Sequence, residues 1–205
     1  MLEKAVGFYW SLPVPWAGFT RLSPDIEVAV MQSRTIAYQR CLVQQYASQN
    51  GLALIREIAF LELEPDRGSH HVGEALQKAA KVCAEHAAEL LYVDFTALAG
   101  WRSHHAMQDW LLANDMGLAI EAAPVVIDGE RFDPAAHFTD WRDRQSAWMA
   151  AKHERVAAAR MRALALQAEG QKKPAIARLL NAEGLRSATG KPWTADSLRK
   201  IMLVE

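Results

Sequence analysis

Apolar residues in the first 132 positions fall into short runs that alternate with amphipathic stretches of helical length. The runs of strand length lie at 5–10, 52–60, 89–94 and 118–121. Between them, apolar positions spaced three or four residues apart predict helices at 71–88 and 107–114, and at 24–50 either one long helix or two end to end. Strands separated by such helices predict an α/β fold, with a mostly parallel sheet covered by helices on both faces.

From 133 to 168 the pattern changes to one long helical stretch. It contains no Gly and no Pro after Pro134, while Ala, Arg, Gln, Met and Leu dominate, which predicts a single long helix. Its apolar residues lie near one face, and we expect that face to form a homodimer contact. They are Phe138, Trp141, Trp148, Met149, Val156, Ala159 and Ala163.

The last part of the chain predicts two further short helices joined by a connector at 185–193. Pro174 suits the first turn of a helix at 174–181, and the Thr194 hydroxyl can cap a last helix at 195–203. One small core is expected from Ile176, Leu179, Leu180, Leu185, Trp193, Leu198, Ile201 and Met202. The predicted domains are therefore 1–132 (α/β), 133–169 (long connecting helix) and 170–205 (small, all-α).

Composition adds little to this picture, but the distribution of charge adds more. The 205 residues are 51% hydrophobic and 23% charged, with a formal charge of -1, as in an ordinary soluble protein. Neither a membrane span nor a signal peptide is recognisable, so we expect a cytoplasmic, nucleoid-associated protein. The chain has 12 basic and 19 acidic residues up to Ala151, and 11 basic and 5 acidic residues after it. This basic end predicts a polyanionic partner, the alternative being a merely solvated helix face.

Three short helices with a glycine in the first turn and basic residues opening the last helix describe a helix-turn-helix unit, which predicts double-stranded DNA as the partner. Candidates at the start of the last helix are Thr194, Asp196, Ser197, Arg199 and Lys200. Candidates for phosphate contacts, in loops or at helix starts, are Lys172, Lys173, Arg186 and Lys191, and Ser187 and Thr189 are further candidate DNA-binding residues. The alternative is a small helical cap whose charges only keep it in solution.

Several motifs resemble those of the serine recombinases, the resolvase and invertase family. The start of the recombinase domain of the large members is matched by Ile176-Ala177, Leu180-Asn181, Gly184, Thr189, Gly190, Trp193-Thr194 and Ile201. The resolvase catalytic domain is resembled by AVGFYWS at 5–11, Gln39, Tyr46-Ala47, Asn50-Gly51-Leu52, Asp66-Arg67-Gly68-Ser69, LLYVDFTALAG at 90–100, GLAIEAA at 117–123 and Glu154-Arg155. The resemblance implies a resolvase-like sheet with a long helix that dimerises.

The departures from that family concern its catalytic residues. A serine that attacks the DNA phosphodiester and several arginines that neutralise the transition state are both required there. In this chain Trp10 holds the arginine position and Leu12 the serine position, while Ser11 lies one residue early, on the opposite side of a strand. The DRLxR stretch reads TALAG at 96–100, and the arginine expected after the Gly-Ser loop falls near His71 or Val72. We therefore expect a catalytically inactive relative.

No cofactor or metal is predicted. The sequence lacks a Walker A loop, a GxGxxG after a strand and HExxH. The histidine pairs His70-His71 and His104-His105 are expected to be surface imidazoles, since adjacent side chains diverge. Cys41 and Cys83 are expected to be reduced, small buried residues.

The sequence thus predicts a dimeric DNA-binding protein that acts as a transcriptional regulator or an architectural factor. One alternative is an active recombinase that uses Ser11 as nucleophile, with charge supplied by Arg21, Arg34 or Arg102. The other is a module whose body binds another protein and whose basic end is incidental.

Overall fold

The chain divides into two compact units. The computed structural model describes residues 3–63, 70–98 and 104–202. The first unit comprises Met1–Pro13 and Thr20–Asp140, and the second comprises Val14–Phe19 and Trp141–Glu205. The short segment Val14–Phe19 therefore groups with the C-terminal residues and not with its neighbours in sequence.

A four-stranded parallel sheet forms the centre of the first unit, which confirms the α/β fold. Its strands are β1 (Glu3–Ser11), β2 (Leu52–Leu61), β3 (Ala88–Asp94) and β4 (Leu118–Glu121), in the order β2-β1-β3-β4. β1 is buried from Ala5 onward because it lies between two strands, whereas β2 is half-exposed because it forms an edge. An antiparallel hairpin of β5 (Val125–Ile127) and β6 (Glu130–Phe132) was not predicted as strands.

Helices flank the sheet. They are α1 (Ile26–Gln32), α2 (Arg34–Gln49), α3 (His70–His86) and α4 (His105–Ala113). The predicted helix at 24–50 is two helices end to end, since Ser33 between them has extended backbone angles, φ -142 and ψ 113. The Ser33 hydroxyl accepts a hydrogen bond from the Ile36 N–H and so caps α2.

The long helix predicted at 133–168 is broken, and that prediction is wrong. The structure has α5 (Pro134–Ala150) and α6 (Lys152–Ala168) on either side of Ala151, whose ψ of 8 departs from helical geometry. At the break the Arg155 guanidinium donates to the Trp148 carbonyl, so a side chain competes for a carbonyl in the last turn of α5. Neither Gly nor Pro marks this position in the sequence.

A separate small core holds the second unit together. α6 packs against α7 (Lys173–Ala182) and α8 (Ala195–Met202). The buried residues are Ala159, Ala163, Leu166, Ile176, Ala177, Leu180, Trp193 and Leu198. The prediction of a C-terminal core is confirmed for most of its residues, but Leu179 is exposed. α6 adds Leu166 and also Ala159 and Ala163, which had been assigned to the dimer face. The unit boundary falls at 140/141, so it differs from the predicted boundaries at 133 and 170.

Part of the predicted dimer face packs into the hydrophobic cores of the chain itself. Phe138 is buried in the core of the first unit, and Ala159 and Ala163 are buried in that of the second. These three residues are therefore not available for contact with a second copy of the chain. Within the described ranges, no helix has the length and apolar character that a membrane crossing needs.

Candidate nucleic-acid interface

The first turn of α7 brings two lysines together at a helix N-terminus. Lys172 is the N-cap residue with extended backbone angles, Lys173 is the first helical residue, and Pro174 follows in the first turn as predicted. No side chain caps this helix, and its first turn contains no acidic residue. Both lysines are exposed. Positive charge thus stands at the positive end of the helix dipole, where it is unfavourable unless an anion is near.

The start of α8 is built in the opposite way. The Thr194 hydroxyl accepts from the Ser197 N–H at 3.1 Å, and the Ser197 hydroxyl accepts from the Thr194 N–H at 2.8 Å, a reciprocal arrangement of the capping-box type. The predicted cap by Thr194 is confirmed. Because both hydroxyls are engaged with this turn, Thr194 and Ser197 are less suited to base contacts than the sequence suggested.

The connector at 185–193 is fixed at its end by Asn181. The Asn181 side chain accepts from the Trp193 N–H at 2.7 Å and donates to the Trp193 carbonyl at 2.9 Å. Within the connector, the Ser187 and Thr189 hydroxyls lie 3.2 Å apart, so these two candidates also bond to each other. Arg186 is half-buried and Lys191 is exposed.

Some acidic groups of the second unit are paired with arginines. Arg162 of α6 donates to both carboxylate oxygens of Glu183, at 2.7 to 3.1 Å, and this hydrogen bond holds the pKa of Glu183 below its usual value. Arg199 lies 3.5 Å from Asp196. Among the described residues no carboxylate pairs with the remaining candidate cations, which are Lys172, Lys173, Arg186, Lys191 and Lys200.

The C-terminal end of β1 holds the residues that the recombinase resemblance singles out. Ser11 is 5% exposed. Its Oγ accepts from the Ser33 hydroxyl at 3.2 Å, and its own hydroxyl donates to the Leu12 carbonyl at 3.3 Å. Trp10 packs its ring against His104, at 5.0 Å between centroids, so neighbouring residues use opposite faces of the strand as expected. The Ser11 hydroxyl therefore belongs to a buried polar contact with the start of α2.

The arginines considered as substitutes are placed elsewhere or fall outside the described residues. Arg34 pairs with Glu130 at 3.1 Å and lies over the Phe132 ring, and Arg21 is exposed. In place of DRLxR, Thr96 donates from its N–H and its hydroxyl to Asp94, which closes a local turn. The Gly-Ser loop at 66–69, residues 99–100 and Arg102 lie outside the described part of the chain.

His104 corrects the expectation of surface imidazoles. It is buried, its Nε2 lies 3.0 Å from Glu62 Oε2, and its Nδ1 accepts from the Met107 N–H at the start of α4. Because Nδ1 is an acceptor, the proton of the neutral ring lies on Nε2 and points to the Glu62 carboxylate. His105 and His71 are exposed, and the side chain of His70 is outside the described part. His104 is thus a buried helix cap.

The cysteines and possible metal ligands add no second site. Cys83 is buried as expected, whereas Cys41 is only half-buried, and both are free thiols whose pKa is raised by burial. Among the described His, Cys, Asp and Glu residues, no group of three or more is placed to hold a metal ion.

Sequence reasoning missed one contributor to this interface, the segment Val14–Phe19. Its Trp16 indole N–H donates to Gln145 of α5 at 3.1 Å, and its Pro15 lies against Gly190 of the connector. The only signal in the sequence is the Pro-Trp pair after a strand, which does not indicate a distant partner.

No protein-family model, no curated protein and no solved structure matches the chain. The resemblance to the serine recombinases therefore stays a prediction from the sequence motifs.

Proposed function

We propose that the chain binds double-stranded DNA through α7, the connector and α8, and acts without catalysis as a regulator or architectural factor. The observation that carries this proposal is the start of α7. Lys172 and Lys173 stand at an uncapped helix N-terminus with no carboxylate partner among the described residues. A DNA phosphate there would neutralise both lysines. Backbone donors are few at this turn, because Pro174 has no N–H and the Ala175 and Ile176 N–H groups already donate to the Lys172 carbonyl.

The other cations of the same unit support this proposal. Lys191 of the connector and Lys200 of α8 are exposed and form no ion pair with described carboxylates. Glu183, the C-cap residue of α7, is paired with Arg162, so it adds no unpaired negative charge at the far end of that helix. Cations on several elements of one small unit suit phosphates along a duplex, and their binding would be strongly dependent on salt.

We also infer that the chain is an inactive relative of the serine recombinases. Ser11 is buried and bonded to Ser33 and Leu12, and Arg34 is paired with Glu130. A nucleophile needs access to its phosphate and an activating base, and the transition state needs cations that are free to contact it. Incubation with duplex DNA should give no covalent protein–DNA adduct. An adduct that forms with the parent and is lost in Ser11→Ala would contradict this inference.

Dimerisation through the long helical region remains part of the proposal. Met149 of α5 and Met161 and Leu164 of α6 are exposed, which leaves apolar surface available to a second copy. Two copies would present two basic units to a palindromic or repeated site. Sedimentation of the parent should show a dimer that Met161→Glu and Leu164→Glu together dissociate, and a parent that sediments as a monomer would refute it.

Fluorescence anisotropy with a mixed-sequence duplex, measured across a salt titration, tests DNA binding. Replacing Lys172 and Lys173 with Ala should lower affinity and flatten the slope of log K against log salt by about 1.8, since each lost phosphate contact removes about 0.9. Lys81→Ala is the matched control, because Lys81 is an exposed lysine of α3 in the first unit. Equal affinity and slope in the double variant would refute the proposed interface.

A second candidate function is binding of an extended peptide by the first unit. A groove of about 880 Å³ follows the free edge of β2, between the start of α1 and the side of α3. Its apolar lining includes Leu54, Ile58 and Phe60, and its cations are Arg56 and Lys78. Free strand edges accept an added strand. A photocrosslinker at Lys78 should capture a peptide in cells, and a variant with Arg56→Glu should lose it.

A further inference from the structure

The segment Val14–Phe19, here called the strap, is a closed loop. The Val14 N–H donates to the Phe19 carbonyl at 2.7 Å, and the Phe19 N–H donates to the Val14 carbonyl at 3.1 Å, so the two residues form an antiparallel bridge. Between them Pro15–Ala17 form one turn of 3-10 helix, which ends at Gly18 with φ +76. The strap thus has a defined shape of its own.

The strap contacts α5 and the connector within the second unit. Trp16 donates to Gln145 on α5. Pro15 lies so close to Gly190 that a Cβ added at Gly190 would stand 2.6 Å from Pro15 Cβ and 3.0 Å from Trp148 Cζ2. Gly190 also has φ +79, a conformation that side chains disfavour. The connector backbone is therefore held between Pro15 and Trp148, at a point where only glycine fits.

Trp148 is itself fixed. The Arg155 guanidinium lies 3.7 Å from the centre of its ring and donates to its carbonyl. By contrast, the middle of the connector has few bonds of its own, chiefly the Ser187 N–H to Lys191 carbonyl bond at 3.0 Å and the Gly190 N–H to Ser187 carbonyl bond at 2.9 Å. The contact at Gly190 is thus an external support for a short loop of connector backbone.

We propose that the strap is a positioning element for the DNA interface, which holds the connector so that Arg186 and Lys191 meet the phosphates in a preformed arrangement. This inference rests on the proposed function. A connector without the strap would have to be ordered when DNA binds, and that ordering would lower affinity. No charge changes, so the dependence of binding on salt would stay the same.

A shortened strap tests this role with little disturbance elsewhere. Since Val14 and Phe19 already face each other as a bridge, the four residues between them can be replaced by Asn-Gly, which closes a two-residue hairpin turn. That change removes the contacts of Pro15 and Trp16 together. Ala17→Ser, at an exposed position of the strap, is the matched control. Lys191→Ala removes a positive charge of the connector and leaves the strap contacts in place, so it shows the effect of losing a charge alone.

Amide hydrogen exchange and anisotropy on the full chain give two readouts. In the shortened-strap variant, amides at 187–191 should exchange faster than in the parent, and affinity for a mixed-sequence duplex should fall about tenfold at every salt concentration. Its salt slope should equal that of the parent, whereas Lys191→Ala should lower the slope by about 0.9. Ala17→Ser should match the parent in both readouts.

Unchanged exchange at 187–191 in the shortened-strap variant would overturn the inference, whatever the DNA result. So would faster exchange with unchanged affinity, because the connector would then need no support to bind. If the parent itself does not bind DNA, the proposed function fails, and faster exchange would leave the strap as a structural support without a positioning role. A changed salt slope in the variant would show altered charge contacts and would also contradict the role proposed.

Discussion

The two helices that open the proposed interface begin in opposite ways. At α8, Thr194 and Ser197 cap the backbone, Asp196 lies in the first turn, and Arg199 and Lys200 lie in the last. Each of these positions suits the helix dipole. At α7, two lysines occupy the N-terminus, no side chain caps it, and the first turn has no acidic residue. The start of α8 therefore stabilises its helix. The start of α7 destabilises its own helix, and a bound phosphate would offset that loss of stability.

Charge reversal should give the largest difference between the two helices in DNA affinity and thermal stability. Lys172→Glu with Lys173→Glu should lower DNA affinity about a hundredfold, because two charge-assisted contacts are lost, and should raise the thermal stability of the second unit, because acidic residues suit that end of a helix. Anisotropy and thermal unfolding measure both. Arg199→Glu with Lys200→Glu, the matched pair on α8, should lower affinity and stability together. If both double variants changed thermal stability in the same direction, the proposed difference between the starts of α7 and α8 would be wrong.

Removal of the α8 cap should affect stability alone. Thr194→Ala should destabilise the second unit by about 1 kcal/mol, the usual loss for a missing cap. Chemical unfolding gives this value, and the salt slope of DNA binding should stay at the parent value. Thr189→Ala, which removes an exposed connector hydroxyl, should change stability by less than about 0.5 kcal/mol. A large change in slope for Thr194→Ala would mean that this hydroxyl contacts DNA.

Addition of a cap to α7 should raise stability and weaken DNA binding. Lys172 already has the extended backbone of an N-cap residue, with φ -84 and ψ 151, so Lys172→Ser should stabilise the helix by about 0.5 to 1 kcal/mol. The same variant should bind DNA more weakly, with a slope lower by about 0.9. Lys172→Ala separates the loss of charge from the gain of a cap. Destabilisation by Lys172→Ser would show that the lysine itself supports the fold.

The smallest expected effect concerns Glu183. Its pKa is lowered by Arg162, so the folded state favours the ionised carboxylate. The ion pair therefore contributes stability above the usual pKa of 4.5, and this contribution is lost as pH falls through the lower folded value. Glu183→Gln should be slightly less stable near neutral pH and should lose less stability on acidification. Thermal unfolding from neutral pH to below pH 4.5 measures this difference. Equal losses of stability on acidification in the parent and in Glu183→Gln would contradict the prediction.

Local signals predicted much of the fold. The parallel strands, the helical stretch that holds α1 and α2, and the α8 cap follow from apolar spacing and from capping residues next to the helices they serve. Whether that stretch is one helix or two was left open by the sequence. Asp128-Gly129 is a typical turn pair, and the structure places both residues at positive φ between β5 and β6. The three-residue strands on either side were missed because so short a run carries no alternation.

The errors arise where distant parts of the chain decide the structure. Ala159 and Ala163 do lie on one apolar face, but sequence spacing does not reveal whether that face meets a second copy or α7 and α8. Likewise the burial of His104 was missed, because its buried partner Glu62 is 42 positions away in the sequence. A chain cut before Gly170 would thus expose Ala159, Ala163 and Leu166, so point substitutions test the interface better than truncation does.

The strap also sets an order of events during synthesis. About 170 residues separate Phe19 from Gly190, so at about 5 to 20 residues per second the strap leaves the ribosome some 10 to 30 seconds before the connector it supports. Until Gln145 has been made, about 126 residues after Phe19, the Trp16 indole lacks the partner it has in the folded chain. Of the two units, the second is consequently the later one to finish folding, although its strap is made well before the connector.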